Sequence, residues 1–575
     1  MPAKWQNHKQ EFAIQKQVED ESGENMVWKT VIRGFHLLSF ELLKTVEEET
    51  HTAQLIVRNR HDTESASFDT GIMNTADFLS FLNQRGIFCG LDEFKELKDL
   101  LMEWLKKIKE TDRVKKSFTH YGWMEKAGTP VGFAAGDTAY YADGKKESGI
   151  KIATKGGSPH APYYIPQGSI DPWLKIGSFL VGQGSQSLLA VLATSFGSPL
   201  MKFSGHSGAV VSIVSSASGV GKSSVLLASQ SVWGQPGATV HSATDTILSL
   251  TSKMGFTRNL PAYWDDIKGN DRMWGQFAET IYQITQGKEK ARLDQSANPR
   301  PLQEWCCLAI VAANDSIFEV MKRYSKGNTD SGVARVFELR LEERPTTVMP
   351  STFFDQCRTN FGWAGAIYAG WLARHRDTAA RKVVEKTAQL SAELDMAADE
   401  RFWIAAMSTT IVGAAIAKAL KLVDFDVPAL EAFLKQRFLE LRADKSKVAL
   451  ETGPEDRINS LIYDHQQTTL VVDTIPKHNT GTTMLIRTPI RGEVEITYVK
   501  DDQMLRIRRS KFNEWCTSKG LSPETLRIEL DARGALKERN VDPMAGMKPY
   551  TLDKRTTCYD IDLKTLGVKG DAGGP

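Results

Sequence analysis

The stretch from Ala209 to Gly234, AVVSIVSSASGVGKSSVLLASQSVWG, constrains this chain more than any other. Its apolar, β-branched opening (Ala209, Val210, Val211, Ile213, Val214) predicts a buried strand. Small residues from Ser215 to Gly221 predict a tight loop, and a helix-favouring segment starts at Lys222. Strand, glycine-bearing loop, Gly-Lys-Ser and helix, in that order, make the pattern of a phosphate-binding loop. Glycines let backbone N–H groups turn inward around phosphate oxygens, beside the positive end of the helix. On this reading Ser216, Ser218, Gly219, Val220, Gly221, Lys222, Ser223 and Ser224 hold a nucleotide. Lys222 reaches its β- and γ-phosphates, and the Ser223 hydroxyl binds Mg²⁺. Ser216 stands where the first glycine of the pattern usually lies.

Segments on the C-terminal side of the loop extend the same chemistry to ATP and Mg²⁺. Leu260 to Asp266 is an apolar segment ending in two carboxylates, the form of a Walker B strand. Asp265 is assigned to the metal and Asp266 to the attacking water. The strand predicted over Cys307 to Ala313 ends in Asn314, a polar tip that can position that water. Arg335, or else Arg323, is a candidate finger acting on the phosphates of a neighbouring subunit. Between the acidic strand and Asn314 lies a basic, turn-rich insertion with Lys288, Lys290, Arg292 and Arg300. It suits a hairpin projecting into a pore, where these cations would contact DNA phosphates.

The remainder sets limits. Residues number 575 with a formal charge of +2, so length predicts several domains and net charge gives no global case for nucleic acid. The six cysteines form no C-x-x-C pair, which points away from a zinc ribbon or a disulfide framework. His120 and His160 are isolated, so no metal set is read there. No apolar leader is visible, and the apolar run from Ile411 to Leu422 is short and broken by Lys418 and Lys421, so a cytosolic protein without a membrane span is expected. The fold class expected is α/β, a P-loop NTPase core with appended domains. A flexible terminus (1–25) precedes an N-terminal α+β domain (26–170) and the ATPase core (171–350). A helical lid (351–450), a winged-helix-like module (451–569) and a short tail (570–575) come after it. Within these, helices are predicted at 75–84, 91–109, 178–200, 274–286, 509–518 and 523–533. Arg506, Arg508, Arg509, Lys511, Arg527, Arg533, Lys537 and Arg539 give the C-terminal module local positive character.

Several pieces in order resemble one family: Gly122-Trp123, SASGVGKSS, Ser231-Val232-Trp233-Gly234, Asp265-Asp266, Ile281-Tyr282, GKEKARLD and Glu304-Trp305. Together, over about residues 30 to 345, they resemble the phage and prophage helicases catalogued as domain of unknown function 927. The ATPase core also looks like the viral superfamily 3 helicases of the wider AAA+ class. The resemblance implies a replicative, ATP-dependent DNA helicase working as a ring hexamer on single-stranded or forked DNA. It carries Lys222 and Ser223 to the nucleotide, Asp265 and Asp266 to Walker B, Asn314 to sensor 1, and Lys288 to Arg292 to the pore hairpin. A primase or polymerase would be a separate partner, because the Asp-x-Asp pairs (Asp424/Asp426, Asp560/Asp562) lack a primase context. The alternatives are an ATP-switched initiator or helicase loader, and a DNA-packaging ATPase.

Overall fold

The computed structural model describes residues 1–47, 50–75, 77–152, 160–215, 220–241, 245, 247–267, 271–291, 302–316, 333–341, 350–451, 453–477, 481–486, 494–519, 521, 523–541 and 556–568. They divide into two compact units. One holds residues 1–269, 280–317 and 335–435, and the other holds 270–279, 318–334 and 436–575.

The first unit begins with β1 (Trp5–Asn7), β2 (Ala13–Glu19) and β3 (Met26–Arg33), an antiparallel sheet. The first 25 residues therefore include two strands rather than a frayed end. Trp5, Ala13 and Ile14 are buried, and the Trp5 indole donates a 2.9 Å hydrogen bond to Glu103. Next come β4 (His36–Thr45), β5 (His51–Arg58), β6 (Thr63–Asp69), α1 (Asp77–Asn83), α2 (Leu91–Glu110) and β7 (Lys115–Phe118). The apolar stripe of α2 (Leu97, Leu100, Leu101, Ile108) joins Phe40, Leu42, Leu55 and Phe68 in one core.

Residues 122–147 form a second small sheet, β8 (Gly122–Lys126), β9 (Thr129–Ala135), β10 (Thr138–Tyr141) and β11 (Lys146–Glu147). This sheet packs on the central layer. The Trp123 indole donates to the Pro199 carbonyl at 2.8 Å, and Phe133 lies against Trp233. A short β12 (Lys151–Ile152) returns to pair with β7. The helix expected over 178–200 is two helices, α3 (Ile170–Gly182) and α4 (Gln186–Gly197). Gly184, at φ +70°, breaks the run, and Ser185 caps the second helix.

The central layer contains β13 (Gly208–Val214), α5 (Lys222–Ser231), β14 (Val240–His241), α6 (Ile247–Thr257), β15 (Ala262–Ile267), α7 (Asp271–Gln286), β16 (Cys307–Ala313) and β17 (Val336–Arg340). Its strands form one sheet in the order β14-β15-β16-β13-β17, every pair parallel. All seven residues of β13 and of β16 are buried, as strands covered on both faces must be.

The helices expected as a lid are α8 (Ser351–Thr359), α9 (Trp363–Arg374), α10 (Arg376–Glu393), α11 (Arg401–Ala419) and the start of α12 (Val427–Glu451). Up to residue 435 they belong to the same compact unit as the sheet. α11 packs on α4, β13 and β17. It is longer than the apolar run read from sequence, because small residues from Ala405 to Thr410 join Phe402–Ile404 to that run. The segment Ala398–Ala419 is apolar and long enough to cross a membrane by length and composition, and most of it is buried inside this unit.

The second unit is built on α13 (Pro454–Asp464), β18 (Thr469–Lys477), β19 (Gly481–Ile486), β20 (Ile496–Val499), β21 (Met504–Arg508), α14 (Arg509–Ser518), α15 (Pro523–Ala532), β22 (Leu536–Val541) and β23 (Thr556–Asp562). Two helices and then a hairpin appear as expected, but the hairpin belongs to a six-stranded sheet, β19-β18-β20-β21-β23-β22. Ile496, Leu505, Ile507, Tyr559 and Ile561 on one face meet Ile458, Leu461, Phe512, Trp515, Leu526 and Leu530 of the helices. Of the cations expected to give this module positive character, Arg509, Lys511, Arg527 and Arg533 each pair with a glutamate.

Candidate functional site

In an open parallel sheet, ligands bind beyond the carboxyl ends of the strands, where loops separate. β13 and β16 end in register, Val214 opposite Ala313, so Ser215 and Asn314 leave the sheet side by side. Gly221 adopts φ +93°, a left-handed conformation that glycine takes without strain, and opens α5. Lys222, the first residue of that helix, turns its ammonium back to the strand ends. It donates to the Ser215 carbonyl at 2.9 Å, the Ala313 carbonyl at 3.2 Å and Asn314 Oδ1 at 2.5 Å. The cation thus stands where the two central strands end, beside the positive end of α5.

The acidic strand adjoins this point. Trp264 faces Val311 and Ile267 faces Ala313, so β15 carries one more residue than β16 over that interval. Asp265 and Asp266 occupy this bulge, a device that re-aims side chains at sheet ends. Asp265 is half-buried, and the hydroxyl-bearing Ser223 is exposed on the first turn of α5. A carboxylate and a hydroxyl at the carboxyl edge are oxygen donors suited to Mg²⁺, so Asp265 and Ser223 fit the metal role. Ser224 is buried on the inner side of α5 and Val220 is also buried, so both pack rather than line an open loop. Ser216, Ser218 and Gly219 lie outside the described residues.

One residue of this edge is invisible to motif reading. Glu338, on β17, is fully buried and accepts a 2.7 Å hydrogen bond from Ser316 Oγ, two residues beyond Asn314. The Arg340 guanidinium lies 3.7 Å from its other oxygen. A carboxylate alternating with Phe337 and Leu339 reads from sequence as an outward strand position. The signal that could have found it is that both faces of a central parallel strand are covered.

Arg335 lies at the opposite, amino end of the same strand. Its Nε donates to Thr285 Oγ1 at 2.9 Å, and its guanidinium stacks on Tyr282 and Phe402 at 4.5 and 5.3 Å from their ring centres. Burial lowers its pKa from the ordinary arginine value. The preferred finger candidate is therefore engaged within its own chain. Arg323 lies outside the described residues.

The base of the basic insertion is an antiparallel pairing. Lys288 bridges Glu304, Glu289 N–H donates to the Gln303 carbonyl at 2.9 Å, and Trp305 N–H donates to the Gly287 carbonyl at 2.8 Å. Gly287 has φ +72°, and a Cβ there would fall 2.2 Å from Ser207 Cβ, so glycine is required at this corner. Lys288 and Lys290 are exposed, while Arg292 and Arg300 lie outside the described residues. The hairpin base precedes β16 and Asn314 comes after it, so they are separated by the length of that strand, about 20 Å.

Known proteins share parts of this architecture. The family described as domain of unknown function (DUF927) matches residues 44–303. No curated protein matches the sequence. The solved structure named "SCCmec type IV Cch - active helicase" shares 15% identity, covers 99% of this chain and of its own, and has a TM-score of 0.58. A second, the A form apo structure of the NrS-1 C-terminal region, shares 11% identity over 62% of this chain and 76% of its own, with a TM-score of 0.25 that carries no argument. Residues 44–303 thus match the DUF927 model, and nearly the whole chain shares the mixed α/β fold of the solved structure of TM-score 0.58.

Proposed function

We propose that this protein is an ATP-driven DNA helicase, a P-loop motor of the superfamily 3 and AAA+ kind. The observation that carries the reading is the convergence of the Lys222 ammonium on Ser215, Ala313 and Asn314 beside the Asp265-Asp266 bulge. A phosphoryl-transfer site needs a cation for the phosphates, a metal-holding carboxylate and hydroxyl, and a polar group for the attacking water. Lys222, Asp265 with Ser223, and Asn314 with Asp266 supply these in turn. Bound Mg²⁺ would neutralise phosphate charge. The carbonyls and amide that hold Lys222 give way to phosphate oxygens as ATP enters. Asn314 is released by the same exchange and orients the water, with Asp266 as the base. An arginine from a neighbouring subunit completes charge neutralisation in a hexameric ring, with Arg323 the candidate because Arg335 is held within its own chain.

Movement at the Asn314 end of β16 is transmitted along the strand to the hairpin base at its other end. The hairpin cations Lys288, Lys290, Arg292 and Arg300 then draw a single DNA strand by its backbone, independently of sequence. We infer a replicative protein of a phage or prophage, working in the host cytosol with a separate primase or polymerase. The decisive experiment measures ATP hydrolysis with and without single-stranded DNA, wild type beside Lys222→Ala. DNA stimulation that vanishes in the variant is expected. Turnover indifferent to DNA would overturn the motor in favour of an ATP-switched initiator or loader.

A further inference from the structure

We propose that the hairpin of β2 and β3 is an arm that docks into a cavity of the neighbouring copy of this chain. The proposal rests on the helicase reading above and names the surfaces through which the subunits of its ring join.

The distal half of the hairpin stands clear of the body. Gln17 faces Trp28, Val18 faces Val27 and Glu19 faces Met26 across the pair. Successive residues of a strand alternate between its faces. Met26, Val27 and Trp28 are nevertheless 49%, 43% and 40% exposed, so neither face of β3 is covered there. β3 is also the edge of its sheet. Adjacent large apolar side chains on an edge strand form a surface that proteins ordinarily cover. The turn that carries them is ordered. Asp20 accepts from the Ser22 N–H at 3.1 Å, the Ser22 hydroxyl at 2.6 Å and the Asn25 side-chain amide at 3.1 Å, and Gly23 has φ +73°. An arm held in shape this way loses little freedom when it docks.

The charge of the arm is one-sided. Residues 19–29 carry four carboxylates, Glu19, Asp20, Glu21 and Glu24, against the single cation Lys29. Asp20 serves the turn. Glu19, Glu21 and Glu24 are exposed, and among the described residues no ion pair engages them. The arm thus offers an apolar strand with an acidic tip.

The complementary chemistry lies in a cavity of about 540 Å³ between the sheet of β8 to β11 and the junction of α9 with α10. Its base is apolar, with Trp123, Gly132 and Ala373 buried and Pro130 half-buried. Arg374, His375 and Arg376 line it at the junction. Arg374 Nε donates to the Gly370 carbonyl at 3.0 Å, which leaves its terminal amino groups for an outside acceptor. Arg376 stacks on Phe203 at 5.2 Å and meets the exposed Asp377 at 3.5 Å, a pairing that water keeps weak. A cavity of this size takes the Trp28 side chain on its apolar base. The two guanidiniums then meet Glu21 and Glu24, so opposite charges select the partner surface. Arm and cavity are different surfaces, so the contact is head-to-tail, the kind that closes copies into a ring.

The test uses the full chain and sedimentation velocity at low salt. The wild-type chain should assemble, and come apart as salt screens the contact. Glu21→Lys with Glu24→Lys should raise the concentration of half-assembly roughly a hundredfold, and so should Arg374→Glu with Arg376→Glu. Arg374→Glu alone, at an exposed position, should give a smaller shift in the same direction and guards against misfolding of the double variant. Each double variant keeps the surface that matches the reversed one of the other, so an equimolar mixture should assemble again, which a general loss of stability would not produce. Assembly of either double variant at the wild-type concentration, or a mixture that stays apart, overturns the arm-to-cavity contact. DNA-stimulated ATP turnover by the wild-type chain would then leave the helicase reading intact. A wild-type chain that stays monomeric at every salt and protein concentration overturns the contact and the ring together.

Discussion

The Ser316 hydroxyl, in the loop after β16, donates a 2.7 Å hydrogen bond to Glu338 of β17, and β13 lies between these two strands. The strand that leads toward Lys222 is thus bridged by its neighbours. Glu338→Ala would leave the Ser316 hydroxyl without this acceptor and remove a carboxylate from beside Arg340. A loss of about 1–3 kcal/mol in urea denaturation is expected for such a buried polar deletion. ATP turnover should fall about tenfold as the Asn314 tip loosens, a drop of about 1.4 kcal/mol in barrier terms. Glu338→Gln keeps an acceptor and should retain most of both.

Lys222→Ala should lower phosphate release by at least about a hundredfold, the scale on which removal of one preorganised donor acts. Its hydrogen-bond partners sit at the sheet edge, so the melting temperature should hardly move. Asn314→Ala should keep binding of a fluorescent ATP analogue and lose turnover. Equal loss of binding in both variants would contradict the division of roles between ammonium and amide.

α4 and α11 cross with backbones in contact. A Cβ added at Gly413 would stand 2.6 Å from the Gly197 nitrogen, and one added at Gly197 would stand 2.8 Å from the Thr409 carbonyl oxygen. Gly413→Ala should therefore destabilise the first unit by about 1–3 kcal/mol, the cost of overpacking a closed core. A shift in the denaturation midpoint at constant slope would show that stability alone has changed.

Acid should destabilise the first unit through two histidines. His120 and His241 are pulled down to about 3, chiefly by burial and then by Arg258 and Lys253 respectively. In the unfolded chain both would titrate at the ordinary value of about 6.5. As pH falls below that value the unfolded state takes up protons and the folded state does not. Stability is then lost toward about pH 3 at up to ~1.4 kcal/mol per pH unit for each group. Urea midpoints at pH 7.5 and 5.5 would measure this, and His241→Leu should halve the difference. A flat profile would mean that neither imidazole is held neutral.

The sequence was informative where local chemistry and burial agree. The strands at β13 and β16 and the helices α2, α14 and α15 are legible from β-branched runs and apolar periodicity within a residue or two. The ends of β1 and β2 were not, because their buried residues Trp5, Ala13 and Ile14 are separated by Lys9, Gln10 and Glu11. Lys222, Asp265 and Asn314 could be placed at one sheet edge from sequence because each lies at or beyond the end of an apolar, strand-forming run. Glu338 could not be, since its partner Ser316 comes from the loop after another strand. Arg335 was read as a finger candidate, but the side chains that engage it, Thr285, Tyr282 and Phe402, come from distant parts of the chain. The arginine cluster of the C-terminal unit was legible only as a count of charges. Counting cations does not show which of them already face a glutamate.

The crossing of α4 with α11 also bears on how the chain is made. Thr194 and Thr410, which meet at this crossing, are 216 residues apart. A ribosome completes the N-terminal helix first, so its apolar surface waits for a partner throughout the synthesis of the intervening sheet. When Ala398–Ala419 emerges, it is apolar enough to be taken for a membrane span, and α4, β13 and β17, on which it packs, have already been synthesised. A circular permutant that places α11 ahead of α4 would instead expose this apolar segment before the residues that bury it are made.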